Sequence, residues 1–436
     1  MEGNWTKKPL AECAEFFSGG TPAKSQPEYW HGDIPWISAK DMKTFRLFDA
    51  EDHITQRAVD VGARVVPENT VLLLVRGMTL HDDVPVCVTT RTMAFNQDVK
   101  AIQGKDEIST LYLAYWLLAN KNRLLSAVDT ASHGTGRIPT DLLKSLEVDV
   151  PPRSEQDRIV AVFDLLDRKD ELNHRIAQAC EALSRTIFRA WFIDFEPVKA
   201  KAAGATSFRG MPQEIFDHLP DHLADSEFGP TPAGWAHIPI GDFVEVVGGG
   251  TPSTAIPEFW ENGQFAFCTP KDMSKLSAPV LLDTERHITQ AGVEKISSGQ
   301  LPRGTVLLSS RAPIGYLAIA ETPVSVNQGI IAMFSERVPN TYILMWTESK
   351  MEVIKARAGG STFAEISKSN FRSIVTLCPD ERTLAAFGDI TRPLFQFLAS
   401  VQRESGVLGA VRDKLLPKLI SGKIRVPKIG GAEDGR

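Results

Sequence analysis

The tetrapeptide His53-Ile-Thr-Gln56 returns intact as His287-Ile-Thr-Gln290, and motifs on both sides of it recur in the same order. The recurring pairs are Ser18-Gly-Gly-Thr-Pro22 with Gly248-Gly-Gly-Thr-Pro252, Pro27-Glu-Tyr-Trp30 with Pro257-Glu-Phe-Trp260, Lys40-Asp-Met42 with Lys271-Asp-Met273, Thr70-Val-Leu-Leu73 with Thr305-Val-Leu-Leu308, Arg76 with Arg311, and Phe95-Asn-Gln97 with Val326-Asn-Gln328. A chance match of short motifs would not preserve this order, so the chain contains an internal repeat. The repeat predicts two similar domains.

Each copy of the repeat predicts a mixed α/β domain followed by a long helix. In the first copy, strand-like apolar runs cover Arg64–Val75 and Val84–Thr89, and a helical pattern covers Ser109–Ser126. We therefore expect an α+β fold. The predicted divisions are a domain over residues 1–150, a central helix over 151–198, a linker rich in Gly, Pro and Ala over 199–233, a second domain over 234–380, and a C-terminal long helix with a basic tail over 381–436.

The two long helices carry matching heptad patterns. Ser154 and Asp157 resemble a capping box at the start of the first helix, which we expect to reach about Phe192, and its twin runs from near Pro379 to about Ile420. The predicted seam positions are Ile159, Leu166, Asn173, Cys180 and Ile187 with Val162, Ile176 and Leu183 between them, and Phe387, Leu394, Val401, Leu408 and Leu415 with Ile390, Phe397 and Val411 between them. Asn173 either fixes the pairing register at a cost in stability or is an exposed residue on an imperfect seam.

Each of these helices needs a partner. A helix of this length is on the order of 60 Å long, which is too long to bury its apolar stripe against one small domain. We expect the two copies to pair with each other, which predicts two similar mixed α/β domains separated by an antiparallel two-helix coiled coil. Two related domains at a fixed separation suit a bipartite target on duplex DNA, whose equivalent groove faces recur about every 34–36 Å.

Composition restricts the class of protein. The chain has 436 residues, of which 43% are hydrophobic, and its longest apolar runs are far shorter than the roughly 18 residues of a membrane-spanning helix. We expect no membrane contact, no signal peptide and a cytoplasmic location. The five scattered cysteines predict neither a disulfide framework nor a zinc site. The net charge of −6 disfavours a stand-alone nucleic-acid binder, so a partner would help to hold any DNA.

Several longer motifs resemble one known family. Phe188-Arg-Ala-Trp-Phe-Ile-Asp-Phe-Glu-Pro-Val198 resembles the central signature of type I restriction-modification specificity subunits (HsdS), and Leu416-Pro-Lys-Leu-Ile-Ser-Gly-Lys-Ile424 resembles its C-terminal counterpart. The segments Phe228–Trp235, Met93–Asp98 and Pro151–Gln156 are also typical of that family. The resemblance extends over essentially the whole chain.

The resemblance implies a role and a set of partners. It implies two target-recognition domains that each read one half of a split site on double-stranded DNA, and helices that dock two methyltransferase subunits (HsdM). The restriction subunit (HsdR) would join the complex for cleavage. It also implies that this chain holds no cofactor and does no chemistry, with S-adenosylmethionine, ATP and Mg²⁺ on the partner subunits.

The residues agree with a non-catalytic chain. An Asn/Asp-Pro-Pro-Tyr/Phe motif and a glycine-rich cofactor loop, which an adenine methyltransferase would need, are missing from the sequence. The triplets Asp41-Met-Lys43 and Asp98-Val-Lys100 match the D-x-K pattern by which one class of nucleases holds Mg²⁺. Their counterparts Asp272-Met-Ser274 and Gly329-Ile-Ile331 do not match it, so we expect neither a catalytic nor a metal site.

Candidate DNA-binding residues are loop side chains that can pair with base edges or phosphates. They are Lys40, Arg76, Thr79, His81, Arg91, His133, Thr135 and Arg137 in the first domain, and Lys271, Ser310, Arg311, Tyr316, Ser361, Thr362 and Lys368 in the second.

Comparison of the two copies sorts these candidates by role. Residues present in both copies cannot distinguish two different half-sites, so we expect them to serve the fold, phosphate contact or docking. Residues that differ are better candidates for specificity, namely Met78–Asp82 against Ile314–Leu317, and His133 and Arg137 against Ser361 and Phe363. The shared pair Asn96-Gln97 could read DNA or cap a buried loop, and we favour the cap.

Three hypotheses remain at this point. The first is a non-catalytic DNA-recognition subunit. The second is a nuclease that acts alone through its D-x-K triplets, and the third is a structural coiled-coil adaptor without a DNA role.

Overall fold

The computed structural model describes residues 5–130, 134–311, 313–359 and 364–427. These residues form two compact units. Unit 1 contains the described parts of residues 1–168 and 408–436, and unit 2 contains those of residues 169–407. The predicted DNA contacts His133, Ser361 and Thr362 lie outside the described residues.

Short strands and helices make up residues 5–150. The strands are β1 (Thr6–Pro9), β2 (Ala14–Ser18), β3 (Trp30–Ile37), β4 (Arg46–Leu47), β5 (Asp52–Ile54), β6 (Val65–Val66), β7 (Val71–Leu74), β8 (Arg76–Gly77), β9 (Val86–Thr89), β10 (Met93–Phe95), β11 (Val99–Gly104), β12 (Asp129–Thr130), β13 (Gly136–Arg137) and β14 (Glu147–Val150). The helices are α1 (Leu10–Cys13), α2 (Gln56–Asp60), α3 (Thr110–Ala119), α4 (Lys121–Leu125) and α5 (Thr140–Ser145), with 3₁₀ turns at Pro27–Tyr29 and Met78–His81.

The core of this domain lies on a five-stranded sheet with the strand order β2-β11-β7-β9-β4. Strand β7 is buried at every residue, as its unbroken apolar sequence predicts for a central strand. Helix α3 is capped by the Ser109 hydroxyl, which accepts a hydrogen bond from the Tyr112 amide at 3.3 Å. A second sheet, β5-β3-β10-β6, carries a separate apolar cluster around Trp36.

The central long helix α6 covers Arg153–Phe192. It is followed by α7 (Glu196–Ala202), α8 (Gln213–His218), β15 (Leu223–Ala224) and β16 (Thr231–Pro232). Parts of these four elements lie within the segment predicted as a linker. Met211, Ile215 and Phe216 are buried in the core of unit 2, so this segment is packed against the unit.

Residues 236–420 repeat the architecture of the first copy. The strands are β17 (Ala236–Pro239), β18 (Glu245–Gly248), β19 (Phe265–Cys268), β20 (Val280–Leu281), β21 (Arg286–Ile288), β22 (Val306–Ser309), β23 (Leu317–Ala320), β24 (Val324–Val326), β25 (Ile330–Phe334) and β26 (Val375–Cys378), with a 3₁₀ turn at Pro257–Phe259. The helices are α9 (Ile240–Phe243), α10 (Pro270–Ser274), α11 (Gln290–Val293), α12 (Asn340–Ser349), α13 (Met351–Ala356), α14 (Lys368–Arg372) and α15 (Glu381–Ile420). The sheet order β18-β25-β22-β23-β20 is the counterpart of the first five-stranded sheet. The two-copy α+β fold is therefore confirmed.

The helices α6 and α15 pair in antiparallel fashion within each unit. In unit 1, Phe163 near the start of α6 shares a core with Leu416 and Leu419 near the end of α15. In unit 2, the ring centroids of Phe192 and Phe387, from the opposite ends of the same helices, lie 5.2 Å apart. The antiparallel pairing was predicted from the matching heptads and is confirmed.

The register of the seam differs from the prediction at alternate positions. The line through Ile159, Asn173 and Cys180 is buried, as predicted. The interleaved line lies one residue later than predicted, because Leu183 and Phe397 are 49% and 52% exposed whereas their neighbours Ser184 and Leu398 are fully buried. The prediction that Leu183 belongs to the seam is therefore wrong.

Polar residues explain that error. The Ser184 hydroxyl donates to the Cys180 carbonyl at 2.9 Å, and the Thr391 hydroxyl donates to the Phe387 carbonyl at 2.8 Å. Because each hydroxyl donates its hydrogen bond to a carbonyl of its own helix, it can be buried without a further partner. A heptad pattern defined by apolar residues alone does not include such Ser and Thr positions. The remaining seam predictions Leu166, Ile176, Ile187, Leu394, Leu408 and Leu415 are partly buried, and Phe387 and Val401 are buried.

Asn173 is a buried member of the seam. Its Nδ2 donates to the Ser405 hydroxyl at 3.4 Å, and its Oδ1 accepts from the Lys169 ammonium at 3.1 Å. This burial rules out an exposed Asn and agrees with a residue that fixes the pairing register.

Candidate DNA-recognition surface

The motifs shared by both copies build the same turns. The Thr21 hydroxyl donates to the Gln97 Oε1 at 2.7 Å, and the Thr251 hydroxyl donates to the Gln328 Oε1 at 2.6 Å. The Asn96 Oδ1 accepts from the Asp98 amide at 3.1 Å, as a loop cap does. These hydrogen bonds agree with the interpretation that shared motifs serve the fold.

Arg76 and Arg137 face each other in unit 1. They are direct partners in the antiparallel pair of β8 and β13, and Asp129 of β12 is the partner of Arg137 on its other side. Side chains of directly opposite residues project from the same face of a sheet. Asp129, Arg137 and Arg76 therefore form an exposed row of three charged residues, which we call the first row.

Other predicted contacts lie beside the first row. The 3₁₀ turn after β8 exposes Thr79 and His81 and buries Leu80. The His81 Nε2 lies 2.8 Å from the carbonyl oxygen of Gly134, just before β13, and the intervening Thr135 is partly exposed. The structure thus brings together five predicted residues from two distant segments.

Lys40 and Arg91 are engaged by their own surroundings. The Lys40 ammonium lies 2.9 Å from Asp52 and 3.1 Å from Glu51, and these hydrogen-bonded carboxylates raise the pKa of Lys40. The Arg91 Nη2 donates to the Asp33 carbonyl at 2.7 Å. These two side chains are less available to DNA than the arginines of the first row.

Lys271 is the second-copy counterpart of Lys40. Its ammonium lies 3.2 Å from Glu285, whose pKa is lowered by hydrogen bonds from Lys275 and Lys271. The same position thus carries an exposed ion pair in both copies, which agrees with a shared role outside sequence discrimination.

Unit 2 contains an equivalent row with different charges. Glu365 forms an isolated antiparallel β-bridge with Arg311 on one side and with Gly359 on the other. Gly359, Glu365 and Arg311 therefore lie side by side, and we call them the second row. The Arg311 Nη1 lies 3.6 Å from the Glu365 Oε2. Arg76 and Arg137, by contrast, form no ion pair with any residue that the structure describes.

The same backbone hydrogen bond occurs beside each row and shows which residues of the two rows are equivalent. The amide of Ile138, which follows Arg137, donates to the Val75 carbonyl at 2.9 Å. The amide of Ile366, which follows Glu365, donates to the Ser310 carbonyl at 3.1 Å. The counterpart of Arg137 is therefore Glu365, and our alignment of Arg137 with Phe363 was wrong.

The other predicted contacts in unit 2 differ in exposure. Ser310 is only 2% exposed, so the prediction that its side chain contacts DNA is wrong. Tyr316 is partly buried against a core cluster, and Lys368 is exposed at the start of α14. Glu365 was absent from the predicted residues. Its position opposite Arg311 depends on the pairing of two segments that are far apart in the chain, and no local sequence pattern specifies that pairing.

The aspartate of the first D-x-K triplet forms structural hydrogen bonds. The Asp41 Oδ2 accepts from the Ser38 amide at 2.9 Å and from its hydroxyl at 2.8 Å, and Oδ1 accepts from the Glu51 amide at 3.0 Å. Asp272 holds Thr269 and Glu285 in the same way. Asp41 thus serves a turn that both copies share, although only the first copy has the lysine.

The described residues contain neither a candidate metal site nor a candidate membrane span. No group of three or more His, Cys, Asp or Glu among them is placed to hold a metal ion. Within the same ranges, no helix combines the length and apolar character needed to cross a bilayer.

Known proteins resemble this chain along its whole length. A family described as the type I restriction modification DNA specificity domain matches it twice, over residues 2–182 and 232–379. The chain is 26% identical to the type I restriction enzyme MjaIX specificity subunit of Methanocaldococcus jannaschii, with 98% of this chain and 95% of that protein covered. It is 32% identical to the EcoR124I/EcoR124II specificity subunit of Escherichia coli over 41% of this chain and 44% of that one.

A solved structure shares the fold. The S subunit of a type I restriction-modification system from M. genitalium superposes with a TM-score of 0.55 at 16% sequence identity, covering 95% of this chain and 96% of that chain.

Proposed function

The chain belongs to the type I restriction-modification DNA specificity family, and from this premise we propose that it is a non-catalytic subunit whose two units each read one half of a split, asymmetric DNA site. Methyltransferase and restriction subunits would assemble on it. They would carry the S-adenosylmethionine, ATP and Mg²⁺ that the reactions require.

The observation that carries the proposal is the first row with its neighbours. Two arginines held directly opposite each other repel, and such a pair lowers the stability of a sheet. An anionic partner that lies across both of them removes this repulsion, and arginine also donates two hydrogen bonds to a guanine edge. Thr79, His81 and Thr135 add further donors and acceptors beside Arg76 and Arg137.

Partner docking is supported by exposed apolar residues on the long helices. Leu165 is exposed in unit 1, and Leu172 and Leu183 share one exposed stripe of α6 in unit 2, since a spacing of eleven residues returns to nearly the same face of a helix. Exposed apolar surface of this kind favours contact with another protein. The net charge of −6 also favours a complex in which partner subunits help to bind the phosphates.

Co-expression with the methyltransferase subunit tests the proposal. Methylome sequencing should find adenine methylation at one interrupted, asymmetric sequence. A complex that assembles and methylates no defined sequence would contradict the proposal.

A binding experiment tests the part played by unit 1. Replacing Arg76 and Arg137 by alanine should weaken DNA binding by the purified complex by about tenfold or more. The control is Arg57→Ala, because Arg57 is an exposed arginine of unit 1 that lies 3.9 Å from Glu28. Unchanged DNA affinity in the double variant would favour the coiled-coil adaptor.

A further inference from the structure

Resting on the proposed function, we propose that the central residue of each row, Arg137 in unit 1 and Glu365 in unit 2, determines which base that unit accepts at one position of its half-site. The two rows occupy equivalent places in the two copies. Each has a shared arginine at one end, Arg76 or Arg311, and differs at the other two positions.

The shared arginines cannot distinguish the half-sites. Arg76 and Arg311 both stand two residues beyond the end of an equivalent central strand, β7 or β22. A side chain of the same type in the same place offers the same donors to either half-site. Discrimination must therefore come from positions at which the copies differ, and within the rows these are the central and outer positions.

The central positions have opposite hydrogen-bonding character. Arg137 has only donors, which match the O6 and N7 acceptors of guanine in the major groove. An ionised Glu365 has only acceptors, which match the N4 amino group of cytosine and repel phosphate oxygens and the guanine acceptors. The two units should therefore prefer different bases at equivalent places.

The charges beside Glu365 and Arg137 leave both side chains able to contact a base. Glu365 is about half exposed, and its single ion pair with Arg311, at 3.6 Å, leaves lone pairs for a base. Arg137 has Asp129 on one side and Arg76 on the other, so the first row keeps a net positive charge whereas the second row is neutral. Because of this positive charge, the first row is better suited than the second row to contact an electron-rich base edge.

The experiment exchanges the rows. The purified complex with its methyltransferase subunit selects sequences from a library of random duplex DNA, and the bound fraction is sequenced. The double variant Asp129→Gly/Arg137→Glu gives the first row the composition of the second, and Gly359→Asp/Glu365→Arg makes the reverse exchange. A Cβ at Gly359 meets no atom of the described residues within 4 Å, so those residues leave space for the added side chain.

We expect each exchange to alter one position in one half-site. Preference for guanine there should fall by about 5- to 150-fold when Arg137 is replaced, which is the discrimination that one bidentate contact provides. The half-site read by the other unit should stay the same. The single variants Arg137→Gln and Glu365→Gln remove the charge, the second without a change in side-chain size, and should relax the same two positions.

The outcomes separate this inference from the proposed function. If the wild-type complex selects no split sequence, the proposed function itself fails. If the wild type selects two half-sites and the variants leave both sequences unchanged, only the role of Arg137 and Glu365 is overturned. Equal weakening on all sequences would also overturn it, because that result identifies phosphate contacts. A thermal unfolding midpoint near that of the wild type shows that a variant is folded.

Discussion

Arg76 lies directly opposite Arg137 across an antiparallel strand pair, whereas its counterpart Arg311 lies opposite Glu365. The same substitution at the two shared arginines should therefore have opposite effects on stability. Arg76→Gln removes a repulsion and should stabilise unit 1 by about 0.2–1 kcal/mol, whereas Arg311→Gln removes an attraction and should destabilise unit 2 by a similar amount. Urea unfolding of the free chain at low salt measures both changes.

Salt provides the control for this prediction. Both effects should shrink in about 1 M NaCl, because the pairs are exposed and screening acts over only a few ångströms there. Changes of the same sign in the two variants would show that like charge is not the cause.

The glycines of the recurring Gly-Gly-Thr-Pro motif are not equivalent. A Cβ at Gly19 would clash with the Phe95 carbonyl oxygen, and one at Gly249 would clash with the Val326 carbonyl oxygen. A Cβ at the adjacent Gly20 or Gly250 would meet no atom within 4 Å in the part of the chain that the structure describes. We expect Gly19→Ala and Gly249→Ala to destabilise their units by about 1–3 kcal/mol or more, since the obstructing atoms are backbone.

Gly20→Ala and Gly250→Ala are the matched controls. They should change the free energy of unfolding by less than about 0.5 kcal/mol. Equal losses at both members of a pair would contradict the close approach, and denaturant titration of each variant distinguishes the two results.

Residues that both copies share could be predicted from the sequence, whereas residues that are brought together by strand register could not. Thr21 and Gln97 recur because one hydrogen bond requires both residue types, so a comparison of the copies finds them. The pairing of Arg76 with Arg137 joins segments that are far apart in the chain, and no local pattern specifies it. Glu365 could have been found only by aligning it with Arg137 through the buried Ile138 and Ile366.

The two neighbours Phe397 and Leu398 test the corrected helix seam. Leu398 is fully buried in the core of unit 2, whereas Phe397 is half exposed. Leu398→Ala should destabilise the unit by about 2–5 kcal/mol, and Phe397→Ala should have an effect below about 0.5 kcal/mol. If thermal unfolding showed the larger loss at Phe397, the heptad originally predicted would be correct.

Asp167 should make the stability of unit 1 depend on pH. Burial raises its pKa, although the Tyr115 hydroxyl donates to it at 2.6 Å and Arg412 lies 3.9 Å away. The folded unit then binds a proton more readily than the unfolded chain, so the stabilisation from protonation is present at low pH and is lost as pH rises through the raised pKa.

Asp167→Asn removes this titration. Relative to the variant, the wild type should gain stability as pH falls from ~7 to ~4.5, the range above the ordinary aspartate pKa. Urea unfolding at several pH values measures the difference, and a difference that is constant or grows with pH would refute the raised pKa.

Glu155, at the start of α6, is a buried carboxylate that joins distant parts of unit 1. The Arg425 Nη1 donates to both of its oxygens at 3.0 and 2.9 Å, and the Trp5 indole donates to Oε2 at 3.1 Å. Arg425→Gln should destabilise unit 1 by about 1–3 kcal/mol, because a buried carboxylate loses its charged partner. Arg153→Gln is the control, since Arg153 pairs with Asp157 at 2.9 Å in solvent, where such pairs contribute less than about 1 kcal/mol. Urea unfolding should show a clear loss of stability for Arg425→Gln and little change for Arg153→Gln. Equal losses in the two variants would mean that the burial of Glu155 does not strengthen its pairing with Arg425.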